Sequence, residues 1–156
     1  MINRRIVCHE FGLPDKLEIE ESDVPQPKDG EVLIKMISAG VGFVDSLMVQ
    51  GLYQIKPPLP YYPGSEFAGE VIETGEGVDS LGVGSKVMGM WRGAYSDHIV
   101  VPASECHPIP SSLSVEIAGG FYTNYSTAIF GLRDIGKLQE GETILILGAS
   151  GGVGSS

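Results

Sequence analysis

Glycine and proline punctuate this sequence too often for long helices to form. There are 22 glycines and 10 prolines among 156 residues. In a helix interior a glycine costs about 1 kcal/mol relative to alanine and a proline about 3 kcal/mol. The chain is therefore expected to build short strands joined by many turns.

Segments 4–11 and 16–23 read as a strand pair across the turn Gly12-Leu13-Pro14-Asp15. Leu17 and Ile19 alternate with Glu18 and Glu20, the pattern of a half-buried strand. Pro25, Pro27 and Asp29-Gly30 end it. Segment 31–39 carries apolar bulk on both faces, Val32, Ile34 and Met36 against Leu33 and Ile37, and is expected inside a sheet. Segment 45–51 has short helical spacing. The three prolines of 55–60 exclude regular structure there. Segments 67–74, 86–90 and 95–101 read as further strands. A β-rich unit therefore extends through Pro110, as in a barrel or sandwich.

The texture then changes. Ser112 and Ser114 offer helix caps, and Glu116 sits where a helix dipole favours an acid. Two helices are expected, about 114–120 and 122–134, ending at Gly136. A strand is expected over 143–147.

Composition narrows the function. With 10 basic and 20 acidic residues the net charge is −10, unsuited to a nucleic-acid backbone. No apolar run approaches the ~20 residues of a membrane span, and the N-terminus lacks the apolar core of a secretory signal. Cys8 and Cys106 read as thiols in a reducing compartment, and a cytoplasmic location is expected.

The strand expected over 143–147 runs into Gly148-Ala149-Ser150-Gly151-Gly152-Val153-Gly154. A dinucleotide fingerprint reads G-x-G-x-x-G after a strand. Here Ala149 takes the first glycine position, with Gly151 and Gly154 in register. Gly151 would admit a pyrophosphate to the backbone and Gly154 would allow close helix packing. A P-loop is excluded because no lysine follows the loop. The alternative is a glycine-rich surface turn.

Five stretches together resemble one family. They are "EVLIKMISAGVGFVDSLMVQGLY" (31–53), "YPGSEFAGEVIETGEGV" (62–78), "GAYSDHIVVP" (93–102), "NYSTAIFGL" (124–132) and "GETILILGASGGVG" (141–154). Their order and spacing are similar to those of the medium-chain dehydrogenase/reductases, specifically the zinc-free quinone oxidoreductase branch related to zeta-crystallin. The resemblance covers essentially the whole chain, as the N-terminal portion of such a protein. It implies a mainly β fold with short helices: a GroES-like, partly open β-barrel over residues 1–122. Residues 123–156 would supply a linking helix and the first strand and glycine loop of an incomplete, Rossmann-type dinucleotide-binding domain.

The same resemblance implies chemistry. Zinc-dependent relatives carry Cys where this chain has Gly42 and His where it has Ser65, so no metal is expected. Without a Lewis acid to polarise a carbonyl, the reaction implied is hydride transfer from NADPH to an electron-poor quinone or α,β-unsaturated carbonyl. Tyr53 matches a tyrosine beside the nicotinamide, stacking on it or donating a proton; the alternative is an aromatic that packs a loop. Thr127 matches a threonine that contacts the nicotinamide carboxamide; the alternative is a buried helix threonine bonded to its own backbone. Gly42 and Phe43 stand where related reductases often have Asn-Pro facing the cofactor. Ala149, Ser150, Gly151, Gly152, Val153 and Gly154 would hold the pyrophosphate. Asp45 and Glu66 match acids that fix loops. A homo-oligomer is expected. Two other functions stay open: an enoyl-thioester reductase, and a non-enzymatic GroES-like binding module. The 156-residue chain alone is expected to be inactive, because its last strand lacks neighbours.

Overall fold

The fold is that of a computed structural model describing residues 2–156. Seven strands and three α-helices follow one another: β1 Ile2–Val7, β2 Glu18–Asp23, β3 Glu31–Gly40, α1 Phe43–Val49, β4 Glu66–Thr74, β5 Lys86–Met90, β6 His98–Pro102, β7 His107–Pro108, α2 Val115–Ala118 and α3 Tyr122–Ile129. Segment 55–60 is a loop without strand or helix, as its prolines require.

Strands β6-β3-β4-β5-β7 form one antiparallel sheet in that order, and β1-β2 form a second. The doubly apolar β3 lies inside the large sheet, between β6 and β4. Its register against β4 shifts between Leu33 and Ile34 and again between Met36 and Ser38. Such bulges bend a sheet, and the small pair is fastened to the loops beside it. The Ile6 amide donates to the Tyr95 carbonyl at 2.8 Å and the Cys8 amide to the Tyr61 carbonyl at 2.8 Å. The result is a mainly β, partly open barrel with short helices.

Inside it, Val32, Ile34, Phe67, Val71, Val87 and Val101 are fully buried in one cluster. Each such side chain contributes roughly 1.5–3 kcal/mol of transfer free energy. A second cluster of Ala68, Met88 and Ala118 seats α2 on the sheet. The Ser38 hydroxyl secures it by donating to the Val115 carbonyl at 2.6 Å.

Several expectations change. Ile19 is 70% exposed, so β2 covers no core along that face. The strand expected over 95–101 is regular only from His98, because residues 95 and 97 bridge to β1 and β3 instead. The second helix ends its α-helical part at Ile129 and continues as a π-helical segment, Phe130–Ile135. There the Gly136 amide bonds back to the Gly131 carbonyl at 2.8 Å. The residue with left-handed backbone is Lys137 (φ 54°), not Gly136. The largest correction concerns 143–147, which forms no strand. Leu145 and Leu147 are each 86% exposed. An apolar strand becomes a strand only by pairing with neighbours, and none of the described residues offers it an edge.

Candidate functional site

Residues 148–154 fold back on themselves and against one face of α3. Gly148 takes the left-handed backbone (φ 77°), so the tight turn falls one residue before the Ala149 position expected to carry it. The Gly151 amide donates to the Gly148 carbonyl at 2.9 Å, and the Ser155 amide to the Gly151 carbonyl at 3.0 Å, a first helical turn. Backbone contact excludes a side chain at Gly154. A Cβ on Gly154 would lie 2.9 Å from the Gly148 carbonyl carbon and 3.0 Å from the Ala149 Cα. A Cβ on Gly152 would lie 2.9 Å from the Asn124 amide group on α3. Among the described residues the N–H groups of Gly152, Val153 and Gly154 make no hydrogen bond. Unpaired amides in a row at an incipient helix start suit an anion.

This loop, α3 and the π-helical segment after it border an open cavity of about 520 Å³. Thr127 lines it together with Gly151, Gly152, Val153 and Gly154. Thr127 is exposed in this chain. Ala149 and Ser150 lie in the same loop but outside the cavity wall. Ala128, Gly131 and Leu132 complete the helical side. Sequence reading passed over them, although their spacing from Thr127 places all four on one helix face. The lining carries no charged side chain. A glycine cradle with open amides beside an apolar wall fits a dinucleotide's pyrophosphate and ring.

Gly42, Phe43 and Tyr53 lie elsewhere and line none of that cavity. Gly42 is the N-cap of α1 and has no side chain to cap with. Asp45, three residues on, supplies the bond: its Oδ2 accepts from the Gly42 amide at 2.9 Å, half of a capping box. Its Oδ1 accepts from the Ser65 hydroxyl at 2.7 Å. Asp45 is buried, with 6% exposure. The two positions that the resemblance pairs with zinc ligands, Gly42 and Ser65, are thus both held by one carboxylate. Among the described residues no group of three or more His, Cys, Asp or Glu gathers as a metal site would need. Phe43 projects into solvent at 78% exposure. Tyr53 is half-buried, and its phenol oxygen accepts from the Gln54 amide at 3.5 Å.

A second buried acid joins the two halves of the site. Glu66 accepts from the Thr123 amide at 3.0 Å, which seats the first turn of α3 on β4. Burial, and then the charge of Asp45, raise the Tyr61 phenol to about 12. The same two causes raise Tyr95, whose hydroxyl donates to the Gly40 carbonyl at 3.1 Å. Both phenols stay protonated and structural at neutral pH. The His98 side chain, buried in β6, is held below the ordinary histidine range by desolvation. Its backbone amide donates to Asn3 Oδ1 at 2.9 Å.

Comparison with known proteins follows the same outline. A family model described as the alcohol dehydrogenase GroES-like domain matches residues 28–111. The synaptic vesicle membrane protein VAT-1 homolog of Homo sapiens is 38% identical over 154 residues, covering 97% of this chain and 39% of that protein. The quinone oxidoreductase of Rattus norvegicus is 34% identical over 154 residues, covering 97% of this chain and 47% of that protein. Among solved structures, the Escherichia coli quinone oxidoreductase complexed with NADPH superposes with a TM-score of 0.89 at 31% identity, covering 97% of this chain and 47% of that one. The enoyl reductase CurK superposes at 0.88 with 28% identity, covering 98% and 49%. The chain spans less than half the length of each of these relatives.

Proposed function

Since the chain belongs to the alcohol dehydrogenase GroES-like family, and within it to the quinone oxidoreductase group of the medium-chain dehydrogenase/reductases, we propose that it is the N-terminal portion of an NADPH-dependent reductase that works without zinc. In this reading residues 1–122 form the GroES-like catalytic domain. Residues 123–156 open the dinucleotide-binding domain. NADPH, when bound, would supply a hydride to a quinone or an α,β-unsaturated carbonyl.

One observation carries the reading: Thr127 and Gly151–Gly154, singled out separately, line the same cavity. The open amides of Gly152, Val153 and Gly154 would hold the pyrophosphate. Thr127 would orient the nicotinamide carboxamide. Gly42 and Phe43, set at the start of α1 by Asp45, would add further contacts to the cofactor. Tyr53 would stack on the ring or give its phenolic proton to the reduced product. The likeness to an enoyl reductase keeps acyl-thioester substrates in the same class. The two helices and the glycine loop favour the enzyme over a free-standing binding module.

The 156-residue chain alone is expected neither to bind NADPH tightly nor to turn over. Its loop is exposed on the outer side, and residues 143–147 have no sheet to join. The test is a titration followed by NADPH fluorescence, with the chain alone and with the longer protein that contains it. Micromolar binding is expected only for the longer protein, and Gly154→Val should abolish it there. Micromolar binding by the 156-residue chain would refute the statement about the fragment. No binding by the longer protein would refute the function.

A further inference from the structure

A second cavity, of about 310 Å³, opens between β1, β6 and the loop 55–62. Its lining includes Arg5, Arg92, Tyr62, Pro57, Pro58 and Pro60, and none of Gly42, Phe43, Tyr53, Thr127 or the glycine loop. Its charge is the opposite of the chain's. Of 20 acidic residues in the sequence, none lines it.

The two arginines are in different states. Arg5 is neutralised: its Nη2 donates to Glu20 Oε1 at 3.2 Å, and its guanidinium lies 4.0 Å over the Tyr62 ring. The Tyr62 hydroxyl holds the other oxygen of Glu20 at 3.2 Å. Those bonds fix one wall as a rigid, charge-balanced surface. Arg92 is different. Arg4, Arg5 and Arg133 each pair with a carboxylate, whereas Arg92 pairs with none among the described residues. Its guanidinium is always charged and presents a planar fork matched to a carboxylate. Arg92 is exposed at the cavity's rim, so its fork is open to an incoming anion.

We propose that this cavity is a binding site for a small organic carboxylate. The anionic end would sit on the Arg92 fork, and an apolar body would lie on the rings of Pro57, Pro58 and Pro60. The wall combines proline and aliphatic surface with Asn3, Ser96, His98 and the paired Arg5, and leaves Arg92 as its one unpaired charge. Apolar surface with a few convergent polar groups is the usual make-up of a small-ligand site. At about 30 Å³ per atom, as for liquid water, the volume admits a ligand of on the order of ten non-hydrogen atoms. The site stands on residues other than those of the proposed cofactor cavity, so either can fail alone.

Benzoate is the probe and benzamide its uncharged counterpart, each titrated by NMR into the 156-residue chain. The expected result is saturable benzoate binding with Kd on the order of 1 mM or tighter, with amide shifts at Gly93 and Ser96. Benzamide should bind about tenfold more weakly or worse, and Arg92→Gln should weaken benzoate by about tenfold. Arg92 is exposed, so R92Q is expected to fold normally. Lys56→Gln removes an exposed charge outside the lining and should leave binding unchanged. No saturable binding of benzoate, equal binding of benzamide, equal binding by R92Q, or an equal loss in K56Q would each overturn the proposal.

Discussion

Replacing Asp45 tests how the turn before α1 is held. The carboxylate is buried and accepts two hydrogen bonds, from the Gly42 amide at 2.9 Å and the Ser65 hydroxyl at 2.7 Å. A bond to a charged group contributes about 1.5–3 kcal/mol, so the two together amount to roughly 3–6 kcal/mol. Two effects reduce the loss in Asp45→Ala. Gly42 is exposed and Ser65 half-buried, so water can satisfy both donors. Removing a buried charge also relieves its desolvation. The expected net loss is about 2–3 kcal/mol. Asp45→Asn should cost less, about 1 kcal/mol. Its amide oxygen can still accept from Gly42, and its amide nitrogen can donate to a reoriented Ser65 hydroxyl. Urea unfolding of D45A, D45N, Ser65→Ala and the D45A/S65A pair measures this. A coupling of about 1 kcal/mol between positions 45 and 65 is expected. The reasoning fails if D45A loses less than about 0.5 kcal/mol, if D45N is the worse variant, or if the two sites are additive.

Two further outcomes can be checked on the same protein. Gly64 has φ +98°, and a Cβ there would lie 2.6 Å from the Tyr95 backbone nitrogen. Gly64→Ala should therefore lose about 3 kcal/mol, combining the left-handed penalty with a clash against backbone. At roughly 2–4 °C per kcal/mol for a chain of this size, thermal unfolding should fall by about 6–12 °C. A change below about 1 kcal/mol would mean the turn can relax. Cys8 and Cys106 are buried, and burial, with help from Glu105, raises the Cys106 thiol from 9.0 to about 12. Iodoacetamide near neutral pH should label neither in the folded chain and both in urea. Because the folded value lies above the unfolded one, the contribution of Cys106 is fully present below pH 9.0. It is lost as pH rises toward about 12. Mass spectrometry showing labelled Cys106 in the folded chain would refute its burial.

Much of this molecule could be read in one dimension, because the deciding interactions are local. Alternation and punctuation located the sheet strands. The doubly apolar 31–39 announced its place inside the sheet, since only a strand covered on both faces can hide both sets of side chains. Glycine and proline placed the turns, because backbone conformation near them is decided within a few residues. Residue type and family likeness single out the glycine loop and Thr127, but as separate pieces of chemistry. What brought them together is the packing of the loop on α3, with Gly152 against Asn124. Tertiary structure alone also decided that Gly148 and not the 149 position makes the tight turn, that Lys137 takes the left-handed backbone, and that β2 leaves Ile19 in solvent. The plainest division falls at 143–147. Its side chains ask for a central strand, but a strand exists only when other chain segments accept its hydrogen bonds. Sequence determined what that segment would become, and the neighbours present in three dimensions decided that here it is not one.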